Sequence, residues 1–243
     1  MHISYYVGLD LKYATNASGA WVTTTVDMVY DGGIYLLCTS IALDASGKAH
    51  ISYYHNSETN INLKYATNTL GTWVTTEVAT GYGSTEGNTS IAVDISGKAH
   101  ISIYNDSTYN NEFENKNLRY ATNASGAWVT IPLDSEGTVG GNSSIALDSS
   151  NNVQISYFGN GDLKYATNAS GSWVTTTVED DGWRSTGYPS SIAVDSSGNA
   201  HISYSGGSND GYGYTNLKYA TNISGQWVTS IVDNSINVGY RNS

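Results

Sequence analysis

The chain has 243 residues, of which 21 are acidic and 10 basic, for a net charge of −11, with one cysteine, two prolines, 26 glycines and 20 tyrosines. That length fits one medium domain with a substantial core, and a charged fraction of only 13% beside so many tyrosines and glycines reads as all-β rather than coiled coil or disordered tail. The acidic balance argues against a nucleic-acid partner, no apolar run is long enough to cross a bilayer, and the lone Cys38 excludes an internal disulfide framework or a multi-cysteine metal site, leaving a buried or half-buried thiol.

In chain order, the first recognisable element is a "HISYY" segment at His2, followed by "LKYATN" from Leu11 and a Gly-x-Trp-Val-Thr containing Trp21. The whole set then recurs. "LKYATN" returns at Leu63, Leu118 (with Arg119 for lysine), Leu163 and Leu217, and the tryptophans at Trp73, Trp128, Trp173 and Trp227. The HISYY-like segment returns at His50, His100, Gln154 and His201, and before those four comes "SIALD" or a variant, starting at Ser40, Ser90, Ser144 and Ser191. Each element alternates apolar and polar residues over about five positions, the signature of a short strand. Four strands A to D, repeated every 45 to 55 residues with tight A–B and C–D turns, predict a five-bladed β-propeller of four-stranded antiparallel blades. The chain is read as one propeller domain, 1–243, with repeats near 1–39, 40–89, 90–143, 144–190 and 191–243.

The first repeat lacks strand A. Ser235 to Val238 resembles "SIAV", but the outermost strand D lies three spacings of about 4.8 Å from the innermost position, and Asp233 and Asn234 cover only about 3.4 Å each. The same segment aligns with the linker from Val139 to Ser143, so the last linker is unusually tight or the chain is one strand short.

The A–B and C–D turns hardly vary, whereas the B–C and D–A segments differ from repeat to repeat, which is where binding on a rigid scaffold resides. Those variable segments hold 16 acidic residues against Lys116, Arg184 and Arg241, a net charge of −13. A face so charged repels polyanions and suits cations, basic proteins or neutral polar ligands. Aromatic residues join the acids there. Tyr30, Tyr35, Tyr82, Trp183 and Tyr188 fall in D–A linkers and Tyr212 and Tyr214 in a B–C segment, while Arg184, Asp180 and Asp181 flank Trp183. A flat apolar ring beside carboxylates and amides is what a sugar needs, so these ten residues form the candidate ligand site. The repeated tyrosines and tryptophans are expected to fill the space between blades, the repeated lysines to lay their stems along the sheet, and the strand-B histidines to be structural rather than metal ligands.

The segment "YATNASGAWVT" from Tyr13 to Thr23 resembles a degenerate Asp-box, and "SIAVDSSGNAHISY" from Ser191 to Tyr204 resembles the first hairpin of bacterial secreted propeller repeats. Asn16 stands where an Asp-box has aspartate, and one residue rather than two separates Gly19 from Trp21. The resemblance implies sialidase-like architecture, but sialidase catalysis needs an arginine cluster, and the chain has three arginines in all. The chain is therefore expected to be a non-catalytic, extracellular or cell-surface, lectin-like propeller that binds a neutral glycan. The alternatives are a structural or protein-interaction module in an extracellular assembly, self-association included, and a glycoside hydrolase. No cofactor or metal is expected, although calcium held by the loop acids is compatible with either binding reading. Membrane insertion is not expected.

Overall fold

The computed structural model describes residues 1–28, 38–56, 61–80, 88–106, 116–180, 189–207 and 215–235. Nineteen strands are present among them, in five antiparallel sheets. The first sheet holds β1 (His2–Val7), β2 (Asp10–Thr15) and β3 (Val22–Met28). The second holds β4 (Thr39–Leu43), β5 (Ala49–Asn56), β6 (Ile61–Thr67) and β7 (Val74–Ala79), and the third β8 (Thr89–Val93), β9 (Ala99–Asp106), β10 (Lys116–Thr122) and β11 (Val129–Asp134). The fourth holds β12 (Val139–Leu147), β13 (Val153–Gly159), β14 (Asp162–Thr167) and β15 (Val174–Glu179), and the fifth β16 (Ser190–Val194), β17 (Ala200–Gly207), β18 (Thr215–Thr221) and β19 (Val228–Asp233). The strands fall where the repeats place them, but the expectation of five four-stranded blades is corrected, because the first sheet has three strands. The linker read from Val139 to Ser143 also belongs to β12, paired with β13 across two register shifts.

Two compact units divide the chain: Met1–Phe113 with Tyr120–Ile131, and Glu114–Arg119 with Pro132–Ser243. In the first, Leu11, Tyr13, Tyr6 and Val26 of one sheet pack against Ile51, Tyr53, Ala66 and Trp73 of the next. In the second, Leu163, Tyr165 and Val178 meet Ile202, Tyr204, Ala220 and Trp227 in the same way. Three of the LKYATN tyrosines meet the following sheet's tryptophan edge-on, at 5.0 Å for Tyr13–Trp73, 5.1 Å for Tyr65–Trp128 and 5.0 Å for Tyr165–Trp227. Trp21 departs from the expected packing role, being 52% exposed.

The uniform turns are held by side chains that the repeat supplies each time. Asp44 Oδ1 accepts the backbone N–H groups of Ser46 and Lys48, and Asp94, Asp148 and Asp195 do the same in their own turns. Position 47 needs a left-handed backbone, and the one non-glycine at that slot, Asn151, holds φ of 63°. The asparagine of LKYATN caps the neighbouring strand, Asn68, Asn123, Asn168 and Asn222 each accepting the N–H that starts strand B at 2.7–2.8 Å.

His50 and His100 are buried, each with Nδ1 against a tyrosine hydroxyl (Tyr65, 2.6 Å; Tyr120, 2.5 Å) and Nε2 at 3.5 Å from Asp44 or Asp94. A carboxylate only accepts, so Nε2 carries the proton and Nδ1 accepts from the tyrosine. Gln154 keeps the tyrosine contact, its Oε1 accepting from Tyr165, while its Nε2 donates to the Gly198 carbonyl in the next sheet's turn rather than to an aspartate, both at 2.9 Å. Burial pushes the His50 and His100 pKa down, against a partial pull upward from the aspartates.

Candidate functional site

Antiparallel order places the B–C connection, the exit of strand D and the entry to strand A on one rim of each sheet, opposite the invariant turns. At that rim, at or next to the end of strand D, stands a residue six places after the tryptophan: Asp27, Ala79, Asp134, Glu179 and Asp233. A register shift just before it, between Leu11/Lys12, Leu63/Lys64, Leu163/Lys164 and Leu217/Lys218, inserts one extra residue and re-aims the strand end.

Three of these acids reach across to the next sheet. Asp27 Oδ2 accepts from Tyr53 Oη at 2.6 Å and Lys64 Nζ at 2.5 Å. Asp134 Oδ2 accepts from Tyr157 Oη at 2.8 Å and Lys164 Nζ at 2.7 Å, and Glu179 accepts from Tyr204 at 2.6 Å and Lys218 at 3.0 Å. Gly159 and Gly206 leave room for the lysine stems, since a Cβ at either would collide with the Lys164 or Lys218 side chain. Where the acid is replaced by Ala79, the tyrosine slot holds Ile103, so the polar pair is lost together.

Burial raises the Asp27 carboxyl pKa, but hydrogen bonds from Lys64 and Tyr53 outweigh it and hold the group below the ordinary carboxylate value. Asp134 is held down in the same way by Lys164, the Glu136 N–H and Tyr157, again against burial. Burial, joined by the adjacent carboxylates, pushes Tyr53 and Tyr157 far upward, so both stay protonated donors. Beside the first triad, burial and then the Lys64 charge lower the His55 pKa, although Asp27 pulls the other way. Cys38 is half-buried, and burial raises its thiol pKa, which makes it a poor nucleophile.

These triads change the charge division expected from sequence. Lys64, Lys164 and Lys218 end on acids of this rim and Lys12 lies 3.0 Å from Asp10, four bases beyond the three set against sixteen acids from the sequence. The rim remains acidic. Amides add to it: Asn62, Asn105, Asn117 and Asn216 are buried at strand ends next to the B–C connections, and Asn105 Oδ1 has no hydrogen-bond partner among the described residues.

Of the ten candidate residues, Asp180 is described, exposed one residue beyond β15. Tyr30, Tyr35, Tyr82, Asp181, Trp183, Arg184, Tyr188, Tyr212 and Tyr214 lie outside the described residues, in connections that leave this rim. Sequence reasoning missed the triads. The acid recurring six residues after four of the five tryptophans was the available signal. Among the described residues no group of three or more His, Cys, Asp or Glu is placed to hold a metal ion, and no helix is long and apolar enough to cross a membrane.

No protein-family profile matches the sequence, and no curated protein matches it. Solved structures do. The chain is similar to an ulvan lyase, a polysaccharide lyase solved with -[GlcA(1-4)Rha3S]-, with a TM-score of 0.67 and 13% identity over 94% of this chain and 67% of that one. It is also similar to the Aleuria aurantia lectin solved with Fucalpha1-6GlcNAc (TM-score 0.54, 14% identity, 98% and 80% covered), and to a leech intramolecular trans-sialidase (0.56, 12%, 88% and 54%). The Aleuria lectin is described as a six-bladed β-propeller. The likeness gives the fold class, β-propeller, and the three-stranded first sheet here overturns a count of five four-stranded blades.

Proposed function

We propose that the chain is a non-catalytic, lectin-like propeller that binds a neutral carbohydrate at the acidic rim and acts outside the cell or on its surface. One observation carries this reading. The described strands end on a rim where carboxylates and strand-end amides lie, and the sequence of the variable connections that follow those strand ends is rich in aromatic residues. A sugar takes its specificity from such oxygens and amides and its affinity from an aromatic face. The solved neighbours support carbohydrate binding, since lectin, lyase and trans-sialidase alike were solved with carbohydrate or a sugar derivative. The paucity of arginine, with Arg184 and Arg241 alone outside the repeated lysine slot, favours a neutral over an anionic sugar.

A glycan array with and without calcium tests this, with Trp183→Ala as control. The expected result is saturable binding to a neutral glycan that weakens at least about tenfold, about 1.4 kcal/mol, in the variant. A folded protein that binds no glycan on the array overturns the reading.

A further inference from the structure

The first and fifth sheets each leave uncovered a face that the intervening sheets bury. In the first sheet, Ile3 is 40% exposed, although its equivalents Ile51, Ile101, Ile155 and Ile202 are fully buried. Tyr5 is half-buried where Tyr53, Tyr157 and Tyr204 are fully buried, and Trp21 is exposed where Trp73, Trp128 and Trp227 are half-buried. On the fifth sheet, Leu217 and Tyr219 are half-buried although Leu11, Leu63, Leu118 and Leu163 are fully buried, and Val232 is 60% exposed.

These two faces are complementary by the rule the chain itself follows. At three junctions an acid six residues after a tryptophan accepts from the next sheet's strand-B tyrosine and strand-C lysine, and at the first and last of these a strand-C tyrosine meets the next tryptophan. The fifth sheet offers that acid and tyrosine as Asp233 and Tyr219, and the first offers Tyr5, Lys12 and Trp21. Asp233 is exposed, with its carboxylate on the Ser235 N–H, and Lys12 reaches Asp10 and Thr25 of its own sheet.

We infer that copies of this chain associate head to tail, the Leu217–Tyr219–Val232–Asp233 face of one copy packing on the Ile3–Tyr5–Lys12–Trp21 face of the next. The partner is a second copy because only the repeat's own forward face supplies a tyrosine at the tryptophan and a carboxylate at the lysine together. Such a contact is heterologous, so it leaves a free face at each end and extends with concentration.

Sedimentation velocity from about 1 to about 200 µM tests it on the wild-type chain, Lys12→Asp, Asp233→Lys and the double charge exchange, each checked for folding by circular dichroism. The wild-type mass is expected to rise with concentration, each single variant to associate at least about tenfold more weakly, and the double exchange to recover the association. A wild-type chain that stays monomeric throughout overturns the inference. So does association that none of the variants alters.

Discussion

Asp134→Ala tests whether the acid–tyrosine–lysine triads hold neighbouring sheets together. Asp134 is buried and accepts two hydrogen bonds on one oxygen, from a fully buried tyrosine and from a lysine whose side chain is 14% exposed. Removing it strands a partly buried ammonium and a buried hydroxyl. Breaking a buried pair from one side costs about 3–5 kcal/mol, and water reaching the partly exposed Lys164 places the expected loss near the lower figure, about 3 kcal/mol. In a chain of this size that lowers Tm by about 6–12 °C. The assay is urea unfolding of the wild type, Asp134→Ala, Tyr157→Phe and the double variant. Since the tyrosine hydroxyl is costly only while its acceptor is missing, the two changes should couple by about 1–2 kcal/mol, the double variant being more stable than additivity allows. The Ala79–Ile103 junction shows the chain already using the paired apolar solution. A loss under about 1 kcal/mol for Asp134→Ala, the range of an exposed ion pair, would refute the reasoning.

Two further perturbations follow from the same geometry. His50 and His100 have folded pKa values below the unfolded 6.5, so below about pH 6.5 the unfolded state takes up protons that the folded state refuses, and stability falls as pH drops from there. His50→Gln with His100→Gln, copying Gln154, should flatten the stability profile between about pH 5 and 7, leaving the contribution of His55, and the acid-side loss from Asp27 and Asp134 should begin only near pH 4 and below. An unchanged slope in denaturant midpoint against pH would count against the histidine assignment. Gly140 holds φ of 101°, and a Cβ there would lie 2.7 Å from the Leu118 Cα, a backbone atom that cannot swing aside. Gly140→Ala should therefore cost about 2–4 kcal/mol in urea unfolding, whereas Gly141→Ala, whose Cβ would meet the Phe158 ring at 3.5 Å, should cost under about 1 kcal/mol.

The sequence by itself determined the strands, their order within each sheet and the turns between them, because each of these depends on residues close along the chain. Alternation set the strands, Asp44 to Gly47 and its copies set the hairpins, and the fivefold repetition of Leu-Lys-Tyr-Ala-Thr-Asn, once with arginine, made each assignment repeat. It also marked tyrosine and tryptophan as packing residues and the variable connections as the place for a ligand. Only the tertiary structure decided what crosses between sheets. The repeated lysine looked like a stem lying along its own sheet, but Lys64, Lys164 and Lys218 end on acids of the preceding sheet, and for Asp27 and Glu179 a one-residue bulge just before the acid re-aims the end of strand D. Asp27, Asp134 and Glu179, counted from the sequence as free surface charge, are thereby neutralised. Equivalent sequence did not mean equivalent burial either: Trp21 and Trp73 occupy the same slot, and what differs is whether another sheet's tyrosine lies against it, a long-range fact that no local pattern encodes.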